Sequence, residues 1–170
     1  GPRGQRILTL EIEARRALLD KAVEEAAQLR AEEMEAKADP RMALLRRFAE
    51  VNDLVEANVQ GALNSNLAFY RGLAEGSLLG DDLTEEQMLS DVWEQEADVR
   101  SETESWLYPY LALAYGPLPD EDLQAYIAFS ETAEGQRLNA ALFAGFDAVF
   151  SAISRDLGRA AGRQMSGQDI

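Results

Sequence analysis

Apolar residues recur along this chain at spacings of three and four and nowhere alternate with period two for the length of a strand. That pattern predicts helices from end to end. A first helix is expected from about Gln5 to Lys37, its apolar stripe passing through Leu8, Ile12, Leu19, Ala22, Val23, Ala26 and Leu29. Asp20 is placed to cap a restart inside it, with Glu24 and Glu25 in the first turn that follows, where the helix dipole favours acids. Asp39-Pro40 is a clear start signal, because Asp39 can accept from unpaired N–H groups and Pro40 suits the first helical position. The second helix then extends to about Glu75 with Leu44, Phe48, Val51, Val55, Val59, Ala62 and Phe69 on one face. Gly72, Gly76 and Gly80 punctuate its end, and Asp81-Asp82-Leu83 leads on to the next start.

Thr84-Glu85-Glu86-Gln87 has the spacing of a capping box. The third helix carries Met88, Val92, Val99, Thr103, Trp106, Tyr110 and Leu113 on one stripe, which puts Trp106 and Tyr110 in the core and Trp93 and Tyr108 off it. Pro109 predicts a kink or break there. Gly116-Pro117-Leu118-Pro119 is the strongest loop signal. A helix restarts near Asp120 with Leu123 and Ile127 inward, and bends around Ser130-Glu131-Thr132, whose hydroxyls compete for backbone groups. The last helix runs from about Ala133 to Met165, with Leu138, Leu142, Phe143, Phe146, Val149, Phe150, Ile153 and Leu157 as its apolar positions. The expectation is one all-α domain over residues 1–170, an array or bundle of about five helices, two or three of them long, and no sheet.

Two absences narrow the chemistry. The 170 residues contain no cysteine and no histidine. Disulfides, thiolate nucleophiles, imidazole-based triads and Cys- or His-ligated metals are thereby excluded. Two lysines, Lys21 and Lys37, lie in a strongly charged helical stretch and do not suggest a Ser–Lys dyad. No catalytic residue and no cofactor is assigned. No basic-then-apolar leader opens the chain, and no apolar run approaches a membrane span.

The net charge of −15 is unevenly spread. Residues 1–71 hold 12 acids and 11 bases, residues 72–135 hold 16 acids and the single base Arg100, and residues 136–170 hold 3 acids and 4 bases. The whole excess sits in the middle third, where it repels nucleic acid and anionic lipid. Within it, Glu94, Glu96, Asp98, Glu102 and Glu104 include pairs four apart that could face a hard cation, although few apolar neighbours accompany them and a solvated face explains them as well. Asn52, Asn58, Asn64, Ser65 and Asn66 form a polar series in an otherwise apolar helix, suited either to a polar pocket or to buried amides bonded to their neighbours. Trp93 and Tyr108 are candidate partner anchors. Arg155, Arg159 and Arg163, interleaved with Gly158 and Gly162, complement a helix C-terminus and could also form a docking strip.

The segment Leu123 to Leu138 resembles the recurring segment of an exported bacterial helical family catalogued as domain of unknown function 2059. The matching positions are Phe129, Ser130 or Thr132, Gly135, Gln136, Arg137 and Leu138. The resemblance implies a periplasmic or cell-envelope location and carries no catalytic residue. Within the motif, Gly135 is expected to allow close helix contact, with Phe129 and Leu138 packing on either side of a bend. Gly4-Gln5-Arg6-Ile7 repeats Gly135-Gln136-Arg137-Leu138, and residues 4–19 can be matched to 135–150. If that match is a duplication, the chain is the C-terminal part of a longer exported protein and Ile7, Leu8 and Leu10 lack cover.

Two functional readings follow. The first is a non-enzymatic interaction or scaffold domain of the bacterial periplasm or cell envelope, binding itself or another envelope protein, with no nucleic acid and no membrane span. The alternative is a small-ligand or divalent-cation binding domain using the acidic third helix or the asparagine series.

Overall fold

A computed structural model describes residues 1–76 and 84–167. Gly80 and Asp81-Asp82-Leu83 lie outside the described residues. The described residues are 88% helical, and no strand occurs among them. Among the described residues there are eight helices rather than about five: α1 Pro2–Ala17, α2 Lys21–Ala36, α3 Pro40–Val51, α4 Leu54–Gly76, α5 Glu85–Glu94, α6 Glu96–Tyr115, α7 Asp120–Ser130 and α8 Ala133–Met165.

Each expected long helix before α7 is divided in two, and the divisions have local causes. The Asp20 carboxylate accepts from the Ala22 N–H at 2.9 Å and starts α2 as an N-cap. Asp39 does the same for α3, accepting from Arg41 N–H at 2.9 Å, with Pro40 at the first helical position. Between α3 and α4, Asp53 adopts a positive φ of 51°, a conformation that a short polar side chain tolerates better than most. The Asn52 amide caps the same junction by donating to the Phe48 carbonyl at 2.9 Å. The third long helix breaks at Gln95, not at Pro109. The Gln95 amide donates to the Asp91 carbonyl at 2.9 Å while its oxygen accepts from Asn66 at 2.9 Å. Pro109 lies inside α6, where the buried neighbours Leu107, Tyr110 and Leu111 hold the turn that lost a hydrogen bond. The capping box at Thr84–Gln87 forms in both directions and starts α5.

The helices assemble into two compact units, each built from two separate stretches of chain. The first comprises residues 1–55 and 102–137, the second residues 56–101 and 138–170. The main hydrophobic core lies wholly in the first unit, where α3 packs on α2 and α7. Its centre is formed by Leu45, Leu111, Tyr115 and Leu123, all essentially without solvent exposure. Phe48 meets the Tyr115 ring edge-on at 5.2 Å between centroids and lies 4.9 Å from that of Tyr126. Arg41 closes the turn between α6 and α7 by donating to the carbonyls of Tyr115 at 2.5 Å and Leu118 at 2.7 Å.

Two faces differ from the sequence expectation here. On α1 and α2 the expected stripe is largely exposed, with Leu8, Ile12, Leu19 and Leu29 facing water. The buried positions are Ile7 and Ala14 on α1 and Ala27, Ala31 and Met34 on α2. On the expected third-helix stripe Met88, Val92, Thr103 and Tyr110 are buried, but Trp106 is not, because Leu107, Leu111 and Tyr115 turn the buried face of α6 away from it. On α1 and α2 small side chains let the backbones come closer than the larger apolar positions would.

A tyrosine cluster in this unit makes its stability depend on alkaline pH. The Tyr115 hydroxyl donates to the Glu11 carboxylate at 2.7 Å, and the Tyr126 hydroxyl lies 3.5 Å from the same oxygen. Burial, reinforced by the Glu11 charge, raises the pKa of Tyr115 well above the usual value and raises that of Tyr126. Burial also pushes Tyr110 up to about 12, opposed by Arg15 over its ring. A folded pKa above the unfolded value of about 10 means that this contribution is complete below pH 10 and is lost as pH rises through the folded values. Urea midpoints should hold steady from pH 8 to about 9.5 and fall from about pH 10 upward. A midpoint flat to about pH 11.5 would show that these hydroxyls ionise as readily folded as unfolded.

In the second unit, Val59, Ala68, Met88 and Val92 are the buried apolar side chains among the described residues. The contact between α4 and α8 is made through glycine. A Cβ at Gly72 would lie 2.1 Å from the Arg155 carbonyl oxygen, one at Gly76 2.3 Å from that of Arg159, and one at Gly158 2.1 Å from that of Phe69. Asn64 donates to Asp147 at 2.8 Å on the same side. Residues 64, 72 and 76 thus face 147, 155 and 159, so the two helices run parallel with a constant offset.

Candidate functional site

The carboxylates singled out in the middle third do not converge. Glu94 ends α5 and Asp98 belongs to α6, so the break at Gln95 removes their shared helix face. Glu96 is engaged by Arg100 at 2.8 Å, and Arg100 also holds Glu56 at 2.9 Å. Glu94, Asp98, Glu102 and Glu104 point into solvent. Among the described residues no group of three or more acids is placed to hold a metal ion.

In the asparagine series, Asn52 belongs to the first unit and donates to the Phe48 carbonyl at the end of α3, whereas Asn64 and Asn66 belong to the second, where they tie α4 to α8 and to the α5–α6 break by donating to Asp147 and Gln95.

The candidate partner residues differ in their surroundings. Trp93 is 67% exposed, whereas Tyr108 is half-buried beneath the Arg46 guanidinium, 5.0 Å from its ring centroid. Arg155 donates to Glu75 at 3.0 Å, and Arg159 lies 3.8 Å from the same carboxylate and also holds Asp156. Hydrogen bonding to Arg155 lowers the pKa of Glu75. Arg163 is exposed near the end of α8. Trp106, expected in the core, is 43% exposed and touches Tyr110 at 6.4 Å between centroids. Replacing either tryptophan with alanine should therefore cost little, about 1 kcal/mol for Trp106 and less for Trp93. Urea melts check this, and a loss of about 3 kcal/mol or more at Trp106 would restore it to the core.

The motif segment forms the corner between α7 and α8. The Thr132 hydroxyl donates to the Phe129 carbonyl at 2.6 Å and accepts from the Gly135 N–H at 3.1 Å. Gly135 is buried, and a Cβ there would stand 2.1 Å from the Phe129 carbonyl oxygen. Ser130 is buried, the Gln136 amide donates to the carbonyls of Ser130 at 2.6 Å and Val51 at 2.9 Å, and Arg137 pairs with Glu134 at 2.9 Å. Phe129 and Leu138 do not pack on either side of the bend. Both are exposed, at 41% and 48%. The duplication fails on the same positions: Ile7 is buried where Leu138 is open, and Ala14 is buried where Gly145 has open space around it. Residues 4–19 and 135–150 are both helical, but their matched positions meet different surroundings.

The apolar positions of α8 are the most conspicuous feature of the surface. Along α8, Leu138, Leu142, Phe146, Val149, Phe150, Ile153 and Leu157 are each between 47% and 61% exposed. From residue 138 to 154 the helix carries one charged side chain, Asp147, and it is turned toward Asn64. The glycine side of α8 takes the contact with α4, so the large apolar side chains are left on the other side, at the helical spacing that makes them one continuous strip. No helix among the described residues is long and apolar enough to cross a membrane. No family model matches the chain, and neither the curated proteins nor the solved structures returned a match.

Proposed function

We propose that this chain is a non-enzymatic interaction or scaffold domain that docks a protein partner through the outer face of α8. The observation that carries the reading is the uncharged strip from Leu138 to Leu157. Apolar patches beyond a few hundred Å² are rare on proteins that act alone and mark interaction surfaces. Among the described residues of the second unit only Val59, Ala68, Met88 and Val92 are buried apolar side chains, while the larger ones along α8 are half exposed. The sequence holds no histidine and no cysteine, and among the described residues no group of three or more acids is placed to hold a metal ion. The acidic middle third weighs against nucleic acid.

A location in the bacterial periplasm or cell envelope is part of the same proposal and rests on the resemblance of the Leu123–Leu138 segment to an exported helical family. A photo-reactive benzophenone amino acid replacing Phe150 in the producing cell tests the interaction reading. Covalent protein adducts are expected from Phe150 and not from Lys21, an exposed polar control position. No adduct at Phe150 would remove the proposal.

A further inference from the structure

We propose that the partner of this face is a second copy of the chain, with α8 paired antiparallel to α8 about a two-fold axis. The inference rests on the interaction reading above and names the occupant of its surface. Leu138, Leu142, Phe146, Val149, Ile153 and Leu157 follow one another at steps of 4, 4, 3, 4 and 4. That series reads the same in both directions, with its midpoint between Asp147 and Ala148. A two-fold interface brings one patch against itself in reverse order when the helices are antiparallel. An axis through this midpoint sets Leu142 level with Ile153 of the second copy and Phe146 level with Val149. Leu138 and Leu157 close the ends. Each of these six positions is then matched by another without any shift of register, and Phe150 falls level with Gly145 of the second copy.

The area suits such a pair. At about half exposure each, and on the order of 180 Å² per large side chain, the seven apolar residues leave roughly 650 Å² open on each copy. A standard interface buries about 800 Å² per partner, which the adjoining exposed alanines Ala141 and Ala152 help to reach. Charge favours the antiparallel sense. Arg155, Arg159 and Arg163 all lie at one end of α8. Parallel pairing would crowd six guanidinium groups together and align two helix dipoles, whereas antiparallel pairing places the arginines at opposite ends and opposes the dipoles. A lipid surface fits less well, because the net charge of −15 opposes anionic bilayers.

The absence of native cysteine makes the test direct, since any introduced thiol is alone. Sedimentation of the full chain should show a dimer at micromolar concentration, and Phe146→Glu should raise the dissociation constant at least about 100-fold while leaving the urea midpoint unchanged. Leu142→Cys protein mixed with mass-tagged Ile153→Cys protein should give the mixed disulfide on oxidation. Either variant alone should give little, because like positions would stand about 16 Å apart along the axis. A disulfide formed efficiently by Leu142→Cys alone means parallel helices and overturns the proposal. A wild-type chain that stays monomeric at about 200 µM also overturns it, as does a monomer that co-sediments with phosphatidylcholine vesicles. The adducts at Phe150 separate the two readings. Adducts of twice the chain mass support the dimer, adducts with other proteins alone keep the interaction reading and reject the second copy, and no adducts reject both.

Discussion

Leu45→Ala is expected to destabilise the protein by about 3–4 kcal/mol, read as a lower urea midpoint with an unchanged slope. Leu45 sits in α3 with no solvent exposure, inside the cluster that also holds Phe48, Leu111, Tyr115 and Leu123. Removing three carbons there forfeits their transfer free energy and leaves a cavity whose walls cannot collapse freely. Two of the nearby groups are fixed by other bonds, Tyr115 by its hydrogen bond to Glu11 and the ends of α6 and α7 by Arg41. The cost should therefore fall near the middle of the range for such truncations rather than at its low end. A small domain is stable by only about 5–15 kcal/mol, so the change is a large share of the total. Leu19→Ala is the natural comparison, since Leu19 is 87% exposed and should move the midpoint hardly at all. Equal losses at the two positions would mean that α1 and α3 bury different faces from those described.

Gly158→Ala should cost about 2–3 kcal/mol, although alanine is the better helix former. The added Cβ would stand 2.1 Å from the Phe69 carbonyl oxygen and 2.9 Å from the Leu73 nitrogen, and backbone atoms on a neighbouring helix cannot rotate aside. The helices must separate, which loosens the contacts at Gly72 and Gly76 as well. Gly61→Ala is the internal control. It lies in α4 with nothing within 4 Å of the added carbon, so the lower backbone entropy of the unfolded chain should stabilise the protein by about 0.5–1 kcal/mol. Opposite signs for two identical substitutions are the expected result. A gain at both positions would show that α4 and α8 do not approach through glycine.

The all-helical class and most of the places where helices begin were legible in the sequence alone. Those features depend on local chemistry: period, a carboxylate one residue ahead of a helix at Asp20 and Asp39, and a reciprocal hydroxyl–amide pair at Thr84 and Gln87. The breaks at Asp53 and Gln95 were harder to read, because each depends on a single residue with no glycine or proline to announce it. Only the tertiary structure decided which face of a helix is inside. Periodicity gives most weight to the largest apolar side chains, and on α1, α2 and α8 these trace one stripe while alanine and glycine trace another. Backbones approach most closely where side chains are smallest, so Ala14, Ala27, Ala31 and Gly158 took the internal contacts. The leucines and phenylalanines of α8, which as a sequence spell out a core, were turned outward by that choice and became the candidate site.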